Sequence, residues 1–133
     1  MADTLGDEAR QLINRPVLAT LATVAADGSP QVTPLWVELD GDDIVVNTAQ
    51  GRAKARNVER DQRVAVCVID PDDPYSVVVV RGTVVEVTTD GADAGIDRLA
   101  KKYLGVDTFP NRRPAEVRIS VRIRTDRITM QPH

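Results

Sequence analysis

The chain has 133 residues and a net charge of −3, and 42% of its residues are apolar but only 3% aromatic. This length supports one hydrophobic core, so residues 1–133 are expected to form a single domain. The net negative charge argues against a nucleic-acid partner. No apolar run approaches the roughly 20 residues that span a bilayer, and no signal sequence is evident. We therefore expect a cytoplasmic protein with no membrane partner.

The first half of the chain predicts one helix followed by strands. A short helix is expected over Asp7–Asn14, because Pro16 disfavours helical geometry at the residue before it. Three apolar, β-branched segments separated by turns then predict strands over residues 17–24, 31–39 and 44–48. These segments are expected to form a three-stranded antiparallel meander.

The second half of the chain alternates between segments with helical periodicity and segments with strand periodicity. A short helix is predicted over residues 52–60, and an amphipathic helix over 92–104 that Gly105 ends. Strands are predicted over residues 63–70, 75–89, 115–124 and 128–130, with a bulge or bend at Gly82. The fold class is therefore mainly β (α+β), an antiparallel barrel or sandwich of six or seven strands with two or three helices. Because the apolar strands exceed what the helices can cover, we expect a homodimer.

A basic segment directly follows the strand over residues 44–48. It carries Arg52, Lys54 and Arg56 just after Gly51. The first N–H groups of a helix are unpaired and carry partial positive charge, so phosphate binds well at such a position. A solvated helix face would also account for the basic residues, but cations at a helix N-terminus are unfavourable, which favours an anionic partner. A second basic stretch with six arginines lies between Arg112 and Arg127.

Residues for side-chain catalysis are scarce. His133 at the terminus is the single histidine, and Cys67, the single cysteine, lies in an apolar strand and is expected to be a buried structural thiol. Neither a serine–histidine pairing nor a metal-ligand cluster occurs. We therefore predict no catalytic side chain and no metal site.

The chain resembles the pyridoxamine 5′-phosphate oxidase-like split β-barrel family, in particular its F420-dependent (deazaflavin) oxidoreductases of actinobacterial type. The resemblance covers about residues 9–131 and rests on three segments. They are Val17-Leu18-Ala19-Thr20-Leu21, Asp27-Gly28-Ser29-Pro30-Gln31-Val32, and Arg52-Ala53-Lys54-Ala55-Arg56-Asn57 followed by Arg60-Asp61-Gln62-Arg63. Gln62 stands where the family has a proline. The resemblance implies an FMN-binding-like split β-barrel.

The resemblance also implies a site in which a tricyclic cofactor ring lies in a groove between two protomers. Four residues would edge the ring: Gln31, Val32, Thr33 and Pro34. Three would lie beneath it: Asn47, Thr48 and Ala49. Three would hold the phosphate region, Arg52, Lys54 and Asn57, and Ala53 would belong to the same cofactor-binding segment. The second protomer would contribute from the segment between Tyr75 and Val78, in which Tyr75 and Val77 are the selected residues. Trp36 would line the substrate side, although a single tryptophan on an apolar strand is also a common core residue.

The resemblance implies coenzyme F420 as the cofactor, with FMN as the alternative. Four basic residues near one helix exceed what a single phosphate requires, which favours the longer anionic tail of F420. The implied function is a reductase that transfers a hydride from the reduced deazaflavin to an electron-poor conjugated small molecule. The alternatives are an FMN-dependent oxidoreductase of the same fold and a non-catalytic F420- or flavin-binding protein.

Overall fold

A computed structural model describes residues 4–131 of the chain. It contains three helices and seven strands. In chain order these are α1 (Asp7–Asn14), β1 (Ala19–Val24), β2 (Pro30–Leu35), β3 (Val37–Asp40), β4 (Asp43–Ala49), α2 (Ala53–Arg60), β5 (Arg63–Ile69), β6 (Val77–Thr88), α3 (Ala92–Leu104) and β7 (Arg118–Gln131).

All seven strands form one antiparallel sheet in the order β2-β1-β5-β6-β7-β4-β3. Its inner face carries the core, where β-branched side chains such as Ile44, Val66, Val80 and Ile123 are almost fully buried. The expected fold class is confirmed, because the sheet curls into a half-barrel and the three helices pack on it. Within residues 4–131, no helix is long and apolar enough to cross a membrane.

The predicted three-stranded meander is wrong. Strand β2 pairs with β1, whereas β3 pairs with β4 at the opposite end of the sheet order. The segment predicted as one strand over residues 31–39 therefore changes partner at Trp36. Leu35 and Val37 are both buried, so the inside–outside alternation continues through the break and gives no sign of it. This change of partner brings the ends of the sheet together across the barrel.

The C-terminal strands predicted over residues 115–124 and 128–130 form a single long strand, β7. It pairs with β6 along nearly its whole length. Two register shifts, at Arg81/Gly82 and at Val84/Glu86, interrupt this pairing and allow the two strands to bend and twist. The predicted irregularity at Gly82 is confirmed. A Cβ atom at Gly82 would lie 2.6 Å from the carbonyl oxygen of Arg124 and 2.6 Å from Cγ2 of Ile123, so the two strands approach too closely for any side chain.

Cys67 is half-buried, rather than buried as expected. On β5, Val64, Val66 and Val68 point into the core, and Cys67 therefore points to the outer face of the sheet. Partial burial raises the pKa of the thiol, which keeps it protonated and a poor nucleophile.

Candidate functional site

A groove of about 730 Å³ opens between the end of β2, strand β4, helix α3 and the loop that precedes β7. One wall is apolar and aromatic, and the other carries polar and cationic side chains. The lining residues are Leu18, Pro34, Leu35, Trp36, Asn47, Arg52, Ile96, Leu99, Phe109, Pro110, Asn111, Arg112, Arg113, Glu116 and Arg118.

Helix α2 begins at this groove. Gly51 adopts a φ of 88°, a left-handed conformation that turns the chain from β4 into the helix. Arg52 is the N-cap residue, and no side chain caps the first turn. The N–H groups of that turn are therefore available to an anion, and the guanidinium of Arg52 lies at the same end of the helix.

Lys54 lies in the first turn of α2 and is half-buried. Burial lowers the pKa of its ammonium, and the charges of Arg52 and Arg118 lower this pKa further. Within residues 4–131, Lys54 has no carboxylate partner to offset this cost. A cation that its surroundings disfavour in this way gains from a bound anion.

An ion-pair chain crosses the cationic wall of the groove. Arg118 donates from Nη1 to Glu116 Oε1 at 2.8 Å, and from Nε to Asn47 Oδ1 at 2.8 Å. Arg52 donates from Nη2 to the other oxygen of Glu116 at 3.1 Å. Arg118, first, and Arg52 together hold the pKa of the Glu116 carboxyl below its usual range. Glu116 is therefore ionised at neutral pH.

Two aromatic residues, Trp36 and Phe109, line the opposite wall, and Tyr103 supports Trp36 from behind. The rings of Trp36 and Tyr103 stack with centroids 5.2 Å apart, and Phe109 meets the indole edge-on at 6.0 Å. The hydroxyl of Tyr103 donates to the carbonyl of Val17 and accepts from the N–H of Val37, which fixes the ring behind Trp36. The guanidinium of Arg118 lies 5.5 Å from the Phe109 ring centroid, so the two walls are in contact.

The structure brings together several residues that the sequence selects. Pro34, Trp36, Asn47 and Arg52 all line the groove, although they come from three separate segments of the chain. Trp36 is half-buried on the groove wall rather than enclosed in the core. Ala53 is half-buried in the first turn of α2.

Two other predicted site residues, Asn57 and Gln31, form hydrogen bonds within the subunit. The amide nitrogen of Asn57 donates to Thr23 Oγ1 at 3.0 Å and to Gln31 Oε1 at 2.8 Å. Its amide oxygen accepts from Arg60 at 2.8 Å. Asn57 and Gln31 thus tie α2 to the β1–β2 hairpin, so they position the helix that carries the cations. A direct contact of Asn57 with phosphate stays a prediction.

The remaining selected residues differ widely in exposure. Thr48, Ala49 and Val77 are almost fully buried within the subunit. Thr33 is half-buried, whereas Val32 and Tyr75 are exposed. Their contacts with a cofactor or with a second subunit stay predictions.

Sequence reasoning missed Glu116 and Arg118 and left the loop before β7 without assigned roles. The loop residues Phe109–Arg113 line the groove. The concentration of arginines after residue 112 was the available signal, but it does not reveal which of them face Arg52, about 60 positions earlier in the chain.

Within residues 4–131 no cluster of histidine, cysteine, aspartate or glutamate is suited to hold a metal ion, and His133 lies outside the described residues.

The sequence pattern of the pyridoxamine 5′-phosphate oxidase family matches residues 5–131. The match spans almost the whole chain, and the fold is the one expected for it. The chain belongs to this family.

Solved structures agree with this assignment. One, described as an F420 reductase, is 32% identical to the chain, covers 94% of it and 98% of its own length, and superposes with a TM-score of 0.83. A pyridoxamine 5′-phosphate oxidase-like protein from Lactobacillus delbrueckii is 26% identical over 95% of this chain and 93% of its own, with a TM-score of 0.68. A conserved hypothetical protein from Mycobacterium tuberculosis shares the fold at 24% identity, over 99% of this chain and 87% of its own, with a TM-score of 0.75.

Proposed function

We propose that this protein is an oxidoreductase that binds coenzyme F420 and transfers a hydride from the reduced deazaflavin to an electron-poor conjugated small molecule. Membership in the pyridoxamine 5′-phosphate oxidase family supports an oxidoreductase. The similarity to an F420 reductase over nearly the full length of both chains supports this cofactor.

The observation that carries the proposal is the environment of Lys54. Its charge is disfavoured by burial and by two neighbouring arginines, at a helix start that no side chain caps. A phosphate group would relieve each of these costs, because it accepts from the free N–H groups and compensates the cations. The groove next to Lys54 has an aromatic wall that fits a flat ring.

The choice of F420 over FMN rests on charge. A single phosphate is satisfied by roughly two cationic partners, which Arg52 and Lys54 supply. Arg113 also lines the groove, and within the described chain it forms no ion pair. This additional cation suits a tail that carries carboxylates beyond the phosphate, as the tail of F420 does.

The cofactor supplies the hydride chemistry when it is bound, so the protein is left with binding, orientation and exclusion of water. Arg52 and Lys54 would hold the phosphate. Pro34 and Trp36 offer an apolar edge for the ring, and Tyr103 holds Trp36 in place through its stacking and its two backbone hydrogen bonds. Within residues 4–131 no histidine is present, and the only thiol in the chain is kept protonated.

The proposal includes a homodimer. The outer face of β2, β1, β5 and β6 carries the cross-strand row Pro34–Thr20–Cys67–Val79 beside the row Val32–Ala22–Ala65–Arg81. At its margins Val32 is 59% and Ile69 50% exposed. A second copy would cover this mostly apolar surface and bring its exposed Tyr75 towards the groove.

Cofactor binding and turnover are tested separately. The purified protein is titrated with F420 and with FMN, and the absorption spectrum of the cofactor is followed. Reduced F420 is then supplied with a panel of enones, quinones and tetrapyrroles. Tight binding of F420 with oxidation of the reduced form by at least one acceptor supports the proposal. Binding without turnover of any acceptor identifies a non-catalytic binding protein, and preference for FMN identifies the flavin-dependent alternative.

A further inference from the structure

Glu116 is the single acidic side chain among the described residues that line the groove, which four arginines also line. It lies between two of them, with one carboxylate oxygen bonded to Arg118 and the other to Arg52. An acid at this position opposes the binding of any anion to Arg52, so its presence requires a reason.

The two ion pairs of Glu116 differ in their surroundings. The side chains of Glu116 and Arg118 are only 10% and 8% exposed, and Arg118 is also held by Asn47 and by the ring of Phe109. Breaking this pair would leave an uncompensated buried charge, so it is expected to persist when a ligand binds. The side chain of Arg52 is 51% exposed, and an ion pair of this kind contributes little and exchanges readily.

We propose that Glu116 gates the anion site of the groove: it occupies Arg52 in the free protein and must be displaced from Arg52 by the acidic group of the ligand. A group with two negative charges compensates Arg52 and Lys54 together and overcomes the repulsion from Glu116. A single carboxylate is repelled less by Glu116 but is also attracted less by the cations, so it recovers less of the cost of breaking the Arg52–Glu116 pair. This inference rests on the proposed anion site at the start of α2, but it does not depend on hydride transfer.

The first arm of the test uses simple anions and no cofactor. Binding of inorganic phosphate and of acetate, at matched ionic strength, is measured by calorimetry or thermal shift for the wild type and for Glu116→Gln. Glutamine keeps an oxygen that accepts from Arg118 but removes the charge. We expect the variant to bind phosphate about threefold to tenfold more tightly and acetate by a smaller factor, because the repulsion that is removed scales with the charge of the ligand.

Three further proteins separate competition at Arg52 from a general effect of net charge. Glu59→Gln removes one negative charge from the exposed side of α2, and it should leave both affinities unchanged. Glu116→Asp keeps a counter-charge for Arg118 while shortening the reach to Arg52, so it should bind phosphate more tightly than the wild type even where Glu116→Gln fails to fold. In an Arg52→Gln background the gain from Glu116→Gln should disappear, because the competition acts through Arg52.

The second arm measures coenzyme F420 with the same proteins, and Glu116→Gln should again bind more tightly. One combination of results would overturn this inference and leave the proposed function intact. In it, the wild type binds phosphate and F420, Arg52→Gln weakens the binding of both, and the Glu116 variants change neither affinity. Wild type that binds neither ligand would overturn the anion site itself, and the proposed function with it. A gain in Glu59→Gln equal to that in Glu116→Gln would also overturn the inference, because the effect would then be one of net charge.

Discussion

Thr48 places a buried hydroxyl on β4 that has no hydrogen-bond partner among the described residues. A buried hydroxyl without a partner costs stability, and an apolar side chain of the same shape removes that cost. We expect Thr48→Val to leave the free energy of unfolding unchanged or to raise it by up to about 1 kcal/mol. Urea denaturation followed by circular dichroism measures this change.

Thr125 provides a matched control, because it is equally buried but donates to the carbonyl of Asp42 at 3.0 Å. Thr125→Val should lower the free energy of unfolding by about 1 kcal/mol or more. A similar loss in both variants would show that the hydroxyl of Thr48 has a partner when the protein is in solution.

At the scale of elements, Lys102 joins three parts of the fold. From α3, its ammonium donates to the carbonyl of Ile13 at the end of α1, at 2.7 Å, and to that of Val37 on β3, at 2.6 Å. Lys102→Met keeps most of the aliphatic chain but loses both charged hydrogen bonds. We expect a loss of about 1.5–3 kcal/mol in the free energy of unfolding. Lys101→Met, at the exposed neighbouring position, should change it little, and equal effects in the two variants would contradict this role.

Gly82 marks the closest approach of β6 and β7. Gly82→Ala would drive a Cβ atom into the backbone of Arg124, so we expect a loss of at least about 1–3 kcal/mol in thermal or urea unfolding. Gly6→Ala should cost less, because a Cβ atom there meets no neighbour within 4 Å and only a preferred N-cap residue of α1 is lost. A Gly82→Ala protein as stable as the Gly6→Ala protein would mean that the strands separate at the bulge at little cost.

Local sequence signals account for the elements that were predicted well. Helices α1 and α3 begin and end as predicted, because amphipathic periodicity and nearby Pro16 and Gly105 define them locally. The break at Trp36 was not predictable in this way, because the burial alternation is the same on both sides of it and only the strand partner changes. Likewise Arg52 was predicted from its helix start, whereas its contact with Glu116 depends on the tertiary fold.

At the scale of the whole molecule, the apolar outer face of the sheet determines the expected assembly. Ala65 lies within this face, opposite Ala22 on β1 and Arg81 on β6. Ala65→Lys should therefore shift the protein from dimer to monomer in light scattering at micromolar concentration, because a second copy would have to bury the new charge, which Arg81 on the opposite strand cannot compensate. Lys101→Glu on α3 should remain dimeric. A wild-type protein that is monomeric while it binds cofactor would exclude the dimer.

The anion site at Lys54 is the central feature of the proposed function, and titration of F420 and FMN at low and high salt examines it without any other variable. A charge-assisted hydrogen bond contributes roughly 1.5–3 kcal/mol, so Lys54→Ala should weaken F420 binding by about tenfold to a hundredfold. Arg56→Ala should have a smaller effect, because that guanidinium binds the carbonyl of Gly51. Affinity for F420 should fall more steeply with salt than affinity for FMN, which has the shorter anionic tail. Equal salt slopes for the two cofactors, or unchanged binding by Lys54→Ala, would contradict an anion site at Lys54.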